Sequence, residues 1–205
     1  MRGPGAGHGD LRDRYTLKNY SWKGEFMPEI EIRAATAEDI PELAAIDHNY
    51  TTEFVWQMEI QVEEKRVGVT FHEVRLPRSV RVDYPRQVSS NLEDWASCSG
   101  VLVARLDQEL VGYASLQLDI APGTTWVTDL AVRRRARRQG IGSAILLAAQ
   151  EWGSTHNTHY LTLEMQPKNY PAILMARKLG FDFCGYNDRH YTNRDIALFF
   201  TKSLR

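Results

Sequence analysis

The densest chemistry in the sequence lies between Arg133 and Gly142, where five arginines fall within six residues (Arg133, Arg134, Arg135, Arg137, Arg138) and Gln139-Gly140-Ile141-Gly142 follow. Two glycines at that spacing let backbone N–H groups approach a ligand closely. An apolar periodic segment begins at once, so the glycines sit at a helix start, where unpaired N–H donors and the helix dipole favour an anion. Arg137-x-x-Gly140-x-Gly142 is therefore read as a phosphate or pyrophosphate loop. A solvated surface loop is the plainer reading of any one arginine taken alone. No dinucleotide-type βαβ fingerprint and no Gly-Lys-Ser/Thr ending accompany the glycines.

Other reactive residue types are sparse. His48, His72, His156, His159 and His190 show no metal-ligand spacing and read as surface or packing residues, so no metal is expected. Cys98 and Cys184 are the only cysteines and are expected to be free thiols, Cys184 in a strand. The formal net charge of −1 over 205 residues gives no reason to expect nucleic acid or an anionic membrane as partner. No apolar run is long enough to span a bilayer, and a cytoplasmic location is expected.

These residues need elements to hold them. Ile30 to Arg33 alternates as a first strand, and Asp39 with Glu42 has the form of a capping box for a helix carrying Pro41 in its first turn. Val55–Val62 and Val69–Leu76 form a hairpin about a turn at Lys65–Gly68. Gly100–Arg105, Leu110–Leu118 and Thr125–Val132 are strands. In the last, Trp126, Thr128, Leu130 and Val132 are expected on one face and Val127, Asp129 and Ala131 on the other. The helix after the glycines buries Ile141, Ile145, Ala148 and Trp152 and ends at Gly153. A strand Tyr160–Met165 and a helix after Asn169 follow, the helix with its stripe at Ala172, Met175, Ala176 and Leu179. Phe181–Tyr191 and Asp195–Lys202 close the chain as strands. Residues 1–28 are glycine-rich and charged and read as a disordered extension, with Met27 as an alternative start.

The strand, Arg137-x-x-Gly140-x-Gly142 and helix, with Asn169, Ala172 and Lys178-Leu179-Gly180-Phe181 downstream, resemble the GNAT superfamily of N-acetyltransferases. Ile46-Asp47-x-x-Tyr50-Thr51-Thr52, Phe71-x-Glu73-Val74, Phe183-Cys184-Gly185 and Tyr191 are similar to the streptothricin acetyltransferases within it. The resemblance implies an α/β (α+β) fold over residues 29–205: a mixed, mostly antiparallel seven-stranded sheet flanked by helices, with 47–95 as a substrate-side insertion. It implies acetyl-CoA as cosubstrate, held by Arg137, Arg138, Gln139, Gly140, Ile141, Gly142, Ser143 and Asn169, with backbone N–H groups of Leu130, Ala131 and Val132 at the thioester. The acceptor implied is a primary amine of a small cationic molecule. Acetylation of a protein N-terminus, lysine or polyamine, and non-catalytic sensing of acyl-CoA, are the rival readings. A homodimer is left open.

An alkylammonium must lose its proton before it attacks. The resemblance implies that Thr125–Val132 and Tyr160–Met165, the fourth and fifth core strands of the family, splay around the thioester, so Asp129 and Glu164 are the candidate bases. The tyrosine that commonly protonates the leaving thiolate is replaced here by Ala176. Tyr191 is the preferred substitute, with Tyr170 and Tyr186 as alternatives.

Overall fold

The computed structural model describes residues 30–86, 92–118 and 120–204; the extension expected over 1–28 lies outside them. Within the described residues, nine strands and four α-helices follow in chain order. They are β1 (Ile30–Ala34), α1 (Ile40–Ala44), β2 (Tyr50–Glu63), β3 (Arg66–Val82), α2 (Leu92–Ala96), β4 (Gly100–Leu106), β5 (Glu109–Gln117), β6 (Thr124–Val132), α3 (Ile141–Thr155), β7 (Tyr160–Met165), α4 (Tyr170–Lys178), β8 (Asp182–Asn187) and β9 (Ala197–Ser203). Seven strands form one sheet in the order β1-β4-β5-β6-β7-β9-β8, and β2 with β3 forms a separate ribbon. All neighbours in the main sheet are antiparallel except β6 and β7. That parallel pair needs a crossover, which α3 supplies.

The periodicity of α3 holds: Ile141, Ile145, Ala148 and Trp152 all lie in the main core, with Leu102, Leu116, Val127, Leu161 and Leu198. A smaller core on the opposite face gathers Leu43, Trp95, Val103, Tyr113 and Ala131 beneath α1 and α2. Burying both sheet faces in this way is what a layered α/β domain requires.

Several local expectations are corrected. The capping interaction lies three residues earlier than expected: the Thr36 N–H donates to Asp39 Oδ2 at 2.7 Å, and Arg33 donates to both Asp39 oxygens at 2.7 Å. Asp39 is thus the partner of a strand arginine as well as the residue entering α1. Helix α3 continues past Gly153 to Thr155. Gly153 is demanded by packing, since a Cβ there would meet Leu204, Thr125 and Thr158 at 2.9 Å. The ribbon is longer than expected, with Glu63 paired to Arg66 across the turn and Gly68 inside the strand. Trp56 packs on Phe200 and Phe71 on Phe183, with ring centroids 5.6 and 5.4 Å apart. These two aromatics dock the ribbon onto the main sheet. Tyr191 lies beyond the end of β8, in the link to β9.

Candidate active site

The site begins with an irregularity in β6. Its register against β5 slips between the pairs Ser115–Asp129 and Leu116–Val127, leaving Thr128 as an extra residue. Such a bulge bends a strand and increases its twist. It also resets the alternation, so Val127 and Leu130 both pack toward the main core although sequence parity set them on opposite faces. Pairing between β6 and β7 stops at Val127–Leu163. Beyond that point the strands part, and Asp129 and Glu164 line a cleft there with Leu130, Asn169, Met175 and Tyr191.

The parting exposes backbone donors. Arg133 N–H donates to Val111 O on β5 at 2.7 Å, so by strand alternation the N–H of Ala131 also points to β5. Those of Leu130 and Val132 point to the other edge, where β7 no longer pairs. Of the three residues expected to offer N–H groups, Ala131 is therefore corrected: its donor belongs to the β5 ladder.

The glycine loop has the backbone of an anion site. Arg138 and Gly140 both adopt positive φ, 68° and 84°. Gly140 is the N-cap of the fifteen-residue α3, and no side chain caps that helix. The first N–H groups of α3, those of Ile141, Gly142 and Ser143, thus meet neither a preceding turn nor a cap. A Cβ at Gly140 would have nothing within 4 Å, while one at Gly142 would lie 3.1 Å from Met175 Sδ. A pyrophosphate fits these donors and this open approach.

The arginines divide differently from expectation. Arg137 donates from Nε to Val132 O at 2.8 Å, from Nη1 to Asn49 O at 2.8 Å and from Nη2 to Asp47 O at 2.5 Å. Its guanidinium is a clamp between the loop and the segment entering β2, because three carbonyls claim its donors; this corrects its assignment as a phosphate ligand. Arg135 bonds Glu109, and Arg133 donates to Leu110 O at 2.6 Å. Arg134 and Arg138 are exposed, and among the described residues neither pairs with a carboxylate. Asn169 caps α4, accepting from the Ala172 N–H at 3.3 Å.

The two carboxylates of the cleft differ sharply. Glu164, only 2% exposed in its side chain, has both oxygens engaged. Oε1 accepts from Arg86 Nη2 at 2.5 Å, and Oε2 lies 2.9 Å from His190 Nε2. Asp129 Oδ1 is buried and makes no hydrogen bond among the described residues, and it lies 3.6 Å from Arg86 Nη1. Burial first, and the neighbouring Glu164 charge second, push the Asp129 carboxyl up to about 7. Arg86 Nη1 donates to Thr128 O at 2.6 Å, an oxygen turned out by the bulge. The same guanidinium lies 5.4 Å from the centroid of the Tyr191 ring.

Tyr191 is 7% exposed. Burial first, then the Glu164 charge, raise its hydroxyl above the usual value. The two alternative tyrosines face other partners. Tyr170 packs on Phe54 and Tyr186 on Phe71, with centroids 4.9 and 5.3 Å apart. Ala176 is wholly buried in the main core.

The cleft also holds groups that the sequence reading set aside or passed over. Arg86 and Tyr84 come from the segment after β3, and Tyr50 opens β2. His48, read as a packing residue, lines the cleft with Nε2 2.7 Å from Tyr113 Oη. His190, read likewise, is the partner of Glu164. Among the described residues the buried Tyr84 hydroxyl has no hydrogen-bond partner. No local motif flags these residues. The one available signal was their position inside the 47–95 insertion, or beside Tyr191. Among the described residues no His/Cys/Asp/Glu group could hold a metal, and no helix is long and apolar enough to cross a membrane.

Comparison with known proteins bears on the family and the fold. Residues 37–181 match the model of the acetyltransferase (GNAT) family. A streptothricin acetyltransferase of Streptomyces lavendulae is 28% identical over 167 residues, covering 78% of this chain and 86% of the relative. The crystal structure of nourseothricin acetyltransferase superposes with a TM-score of 0.72 at 23% identity, over 86% of this chain and 99% of that one. A Bacillus anthracis structure in complex with acetyl coenzyme A gives 0.67 at 18% identity, over 85% and 99%. At those identities the two structures speak for the fold.

Proposed function

The chain belongs to the GNAT family of acetyltransferases, and from that premise we propose that it acetylates a primary amine on a small cationic molecule of the streptothricin type. Acetyl-CoA is the donor. The observation that carries the reading is Asp129: a largely buried carboxylate with an oxygen that makes no hydrogen bond among the described residues, at the point where β6 and β7 part.

The chemistry asks for a proton acceptor there. An alkylammonium with a pKa near 10.4 is almost wholly charged at neutral pH, and exposing its lone pair costs about 4.6 kcal/mol. Asp129, titrating near 7, is ionised often enough to take that proton and is a far better base than an ordinary carboxylate. The amine nitrogen then bonds to the thioester carbonyl carbon, the C–S bond breaks with the sulfur leaving on the bonding pair, and the nitrogen gives its second proton to solvent as the neutral amide forms. The N–H groups of Leu130 and Val132 are the donors at hand for the carbonyl oxygen. Tyr191 is the proposed proton donor to the sulfur. Its raised pKa keeps it protonated but makes it a weak acid, so its contribution is modest. The pyrophosphate rests on the N–H groups of Ile141 to Ser143, with the exposed Arg134 and Arg138 of the same loop as candidate cations.

The S. lavendulae relative supports the acceptor class, because its match extends over most of this chain. The test is thiol release from acetyl-CoA with a panel of streptothricin, polyamines and peptides. Turnover with streptothricin well above the other amines supports the reading. A preference for peptides refutes the acceptor class, and release with no amine tested refutes the transfer.

A further inference from the structure

The cleft contains two acidic side chains where the proposed chemistry needs one, and their surroundings are unequal. Arg86 reaches in from the segment after β3 and meets four groups at once: Glu164 Oε1 at 2.5 Å, Thr128 O at 2.6 Å, His190 Nε2 at 3.3 Å and Asp129 Oδ1 at 3.6 Å. Its side chain is 31% exposed against 2% for Glu164. A carboxylate that deeply buried keeps its charge only if a cation and hydrogen bonds replace the lost water. Arg86 provides the cation, and His190 sits on the other oxygen.

We propose that Arg86 is a positioning residue that decides which carboxylate receives the acceptor's proton. By occupying Glu164 on one side while His190 occupies it on the other, Arg86 pins Glu164 and leaves Asp129, whose side chain is 24% exposed, as the carboxylate free to take the ammonium's proton. The inference rests on the reading of Asp129 as the proton acceptor. Glu164, chosen from sequence as a second base, then has a different role, because its fixed negative charge beside Asp129 raises that neighbour's affinity for a proton. Arg86 opposes that effect from 3.6 Å, so the two act on Asp129 with opposite signs.

The charged and titratable groups around Asp129 come from every element that meets there. They are Arg86 and Tyr84 after β3, Glu164 on β7, His190 and Tyr191 before β9, and His48 before β2. Of these, Arg86 and Glu164 are the ones whose loss should move the titration of Asp129 in contrary directions. Because the carboxylates lie close, the observed titration is a property of the pair, and the contrast between variants is the informative quantity.

The experiment is kcat/KM for an accepted primary amine against pH, at saturating acetyl-CoA, for the parent, Arg86→Ala and Glu164→Gln. The acid limb of Glu164→Gln should move to lower pH and that of Arg86→Ala to higher pH, each by about half a pH unit or more. Added guanidinium ion should fill the space left in Arg86→Ala, return its limb toward the parent position and recover part of the rate. If Arg86→Ala is too unstable to assay, Arg86→Lys keeps the charge without the fork, and its limb should stay near the parent's while its rate falls. Lower rates with both limbs unmoved and no guanidinium rescue would show a purely structural role and overturn the proposal. Loss of the acid limb in Glu164→Gln, with the limb retained in Asp129→Asn, would make Glu164 the base and overturn both readings. An Asp129→Asn enzyme with normal rate and limb would remove the underlying reading alone.

Discussion

The glycine loop and the cleft are the two halves of the proposed site, and they are built by different means. On the proposed coenzyme side, a contiguous stretch from Arg133 to Ser143 presents main-chain donors, through positive φ at Arg138 and Gly140 and a helix with no side-chain cap. On the acceptor side, Arg86, Asp129, Glu164, His190 and Tyr191 arrive from four separate segments and act through side chains. A backbone site is written in local spacing, because glycine positions and a helix start suffice to specify it. A side-chain site depends on a bulge, a strand parting and two loops, none of which has a local signature.

That contrast yields effects of different size and kind. The largest is expected for Asp129→Asn, which should lower turnover by about 10²- to 10⁴-fold, the usual contribution of a positioned base. Calorimetric acetyl-CoA affinity should be unchanged. Next is Gly142→Val. Its side chain would be driven toward Met175, 3.1 Å from the Cβ position, and would tilt the donors at the start of α3. Loss of one charge-assisted bond there weakens acetyl-CoA binding by about ten- to a hundredfold, while kcat at saturation falls less. If either variant changed the quantity assigned to the other, the division between the halves would fail.

The legible part of the molecule follows the same division. Strand order cannot be read from a pattern, yet most strands, the core stripe of α3 and the glycine loop were, because period and spacing are local properties. The role of Arg137 was misread because its position in the motif is visible but its partners are not. The carbonyls of Asp47 and Asn49 lie about ninety residues away in sequence. Arg86 and His190 were missed for the same reason. Thr128 hid the true facing of Val127, since an unpaired extra residue looks like any other β-branched residue in a strand.

Two smaller effects probe each half separately. Tyr191→Phe should slow turnover about tenfold without loosening acetyl-CoA, measured as thiol release alongside calorimetry. A fully active Tyr191→Phe would leave the departing sulfur to water. Arg137→Ala should cost about 1–3 kcal/mol of folding stability through its stranded carbonyls, read as a lower midpoint in urea. A stable Arg137→Ala enzyme that had lost acetyl-CoA would restore Arg137 to the coenzyme.

Asp129 also gives a stability signature with a defined sign. Its folded pKa, about 7, lies above the ordinary carboxylate value, so the folded state holds a proton that the unfolded chain has released between about pH 4 and 7. Stability contributed by this group is present at low pH and is lost as pH rises through 7. Asp129→Asn should therefore raise the melting temperature more at about pH 8 than at about pH 5, by a few degrees. An equal change at both values would mean that Asp129 does not titrate abnormally.

The most direct measurement is the dependence of kcat/KM on pH, between about 5 and 9, for an accepted amine with the parent enzyme and with Asp129→Asn. The parent should lose activity as pH falls through about 7, where Asp129 takes up its proton. The residual activity of Asp129→Asn should show no such limb and should rise steadily with pH as free amine accumulates. A parent-like limb near 7 at undiminished rate in Asp129→Asn would contradict the account.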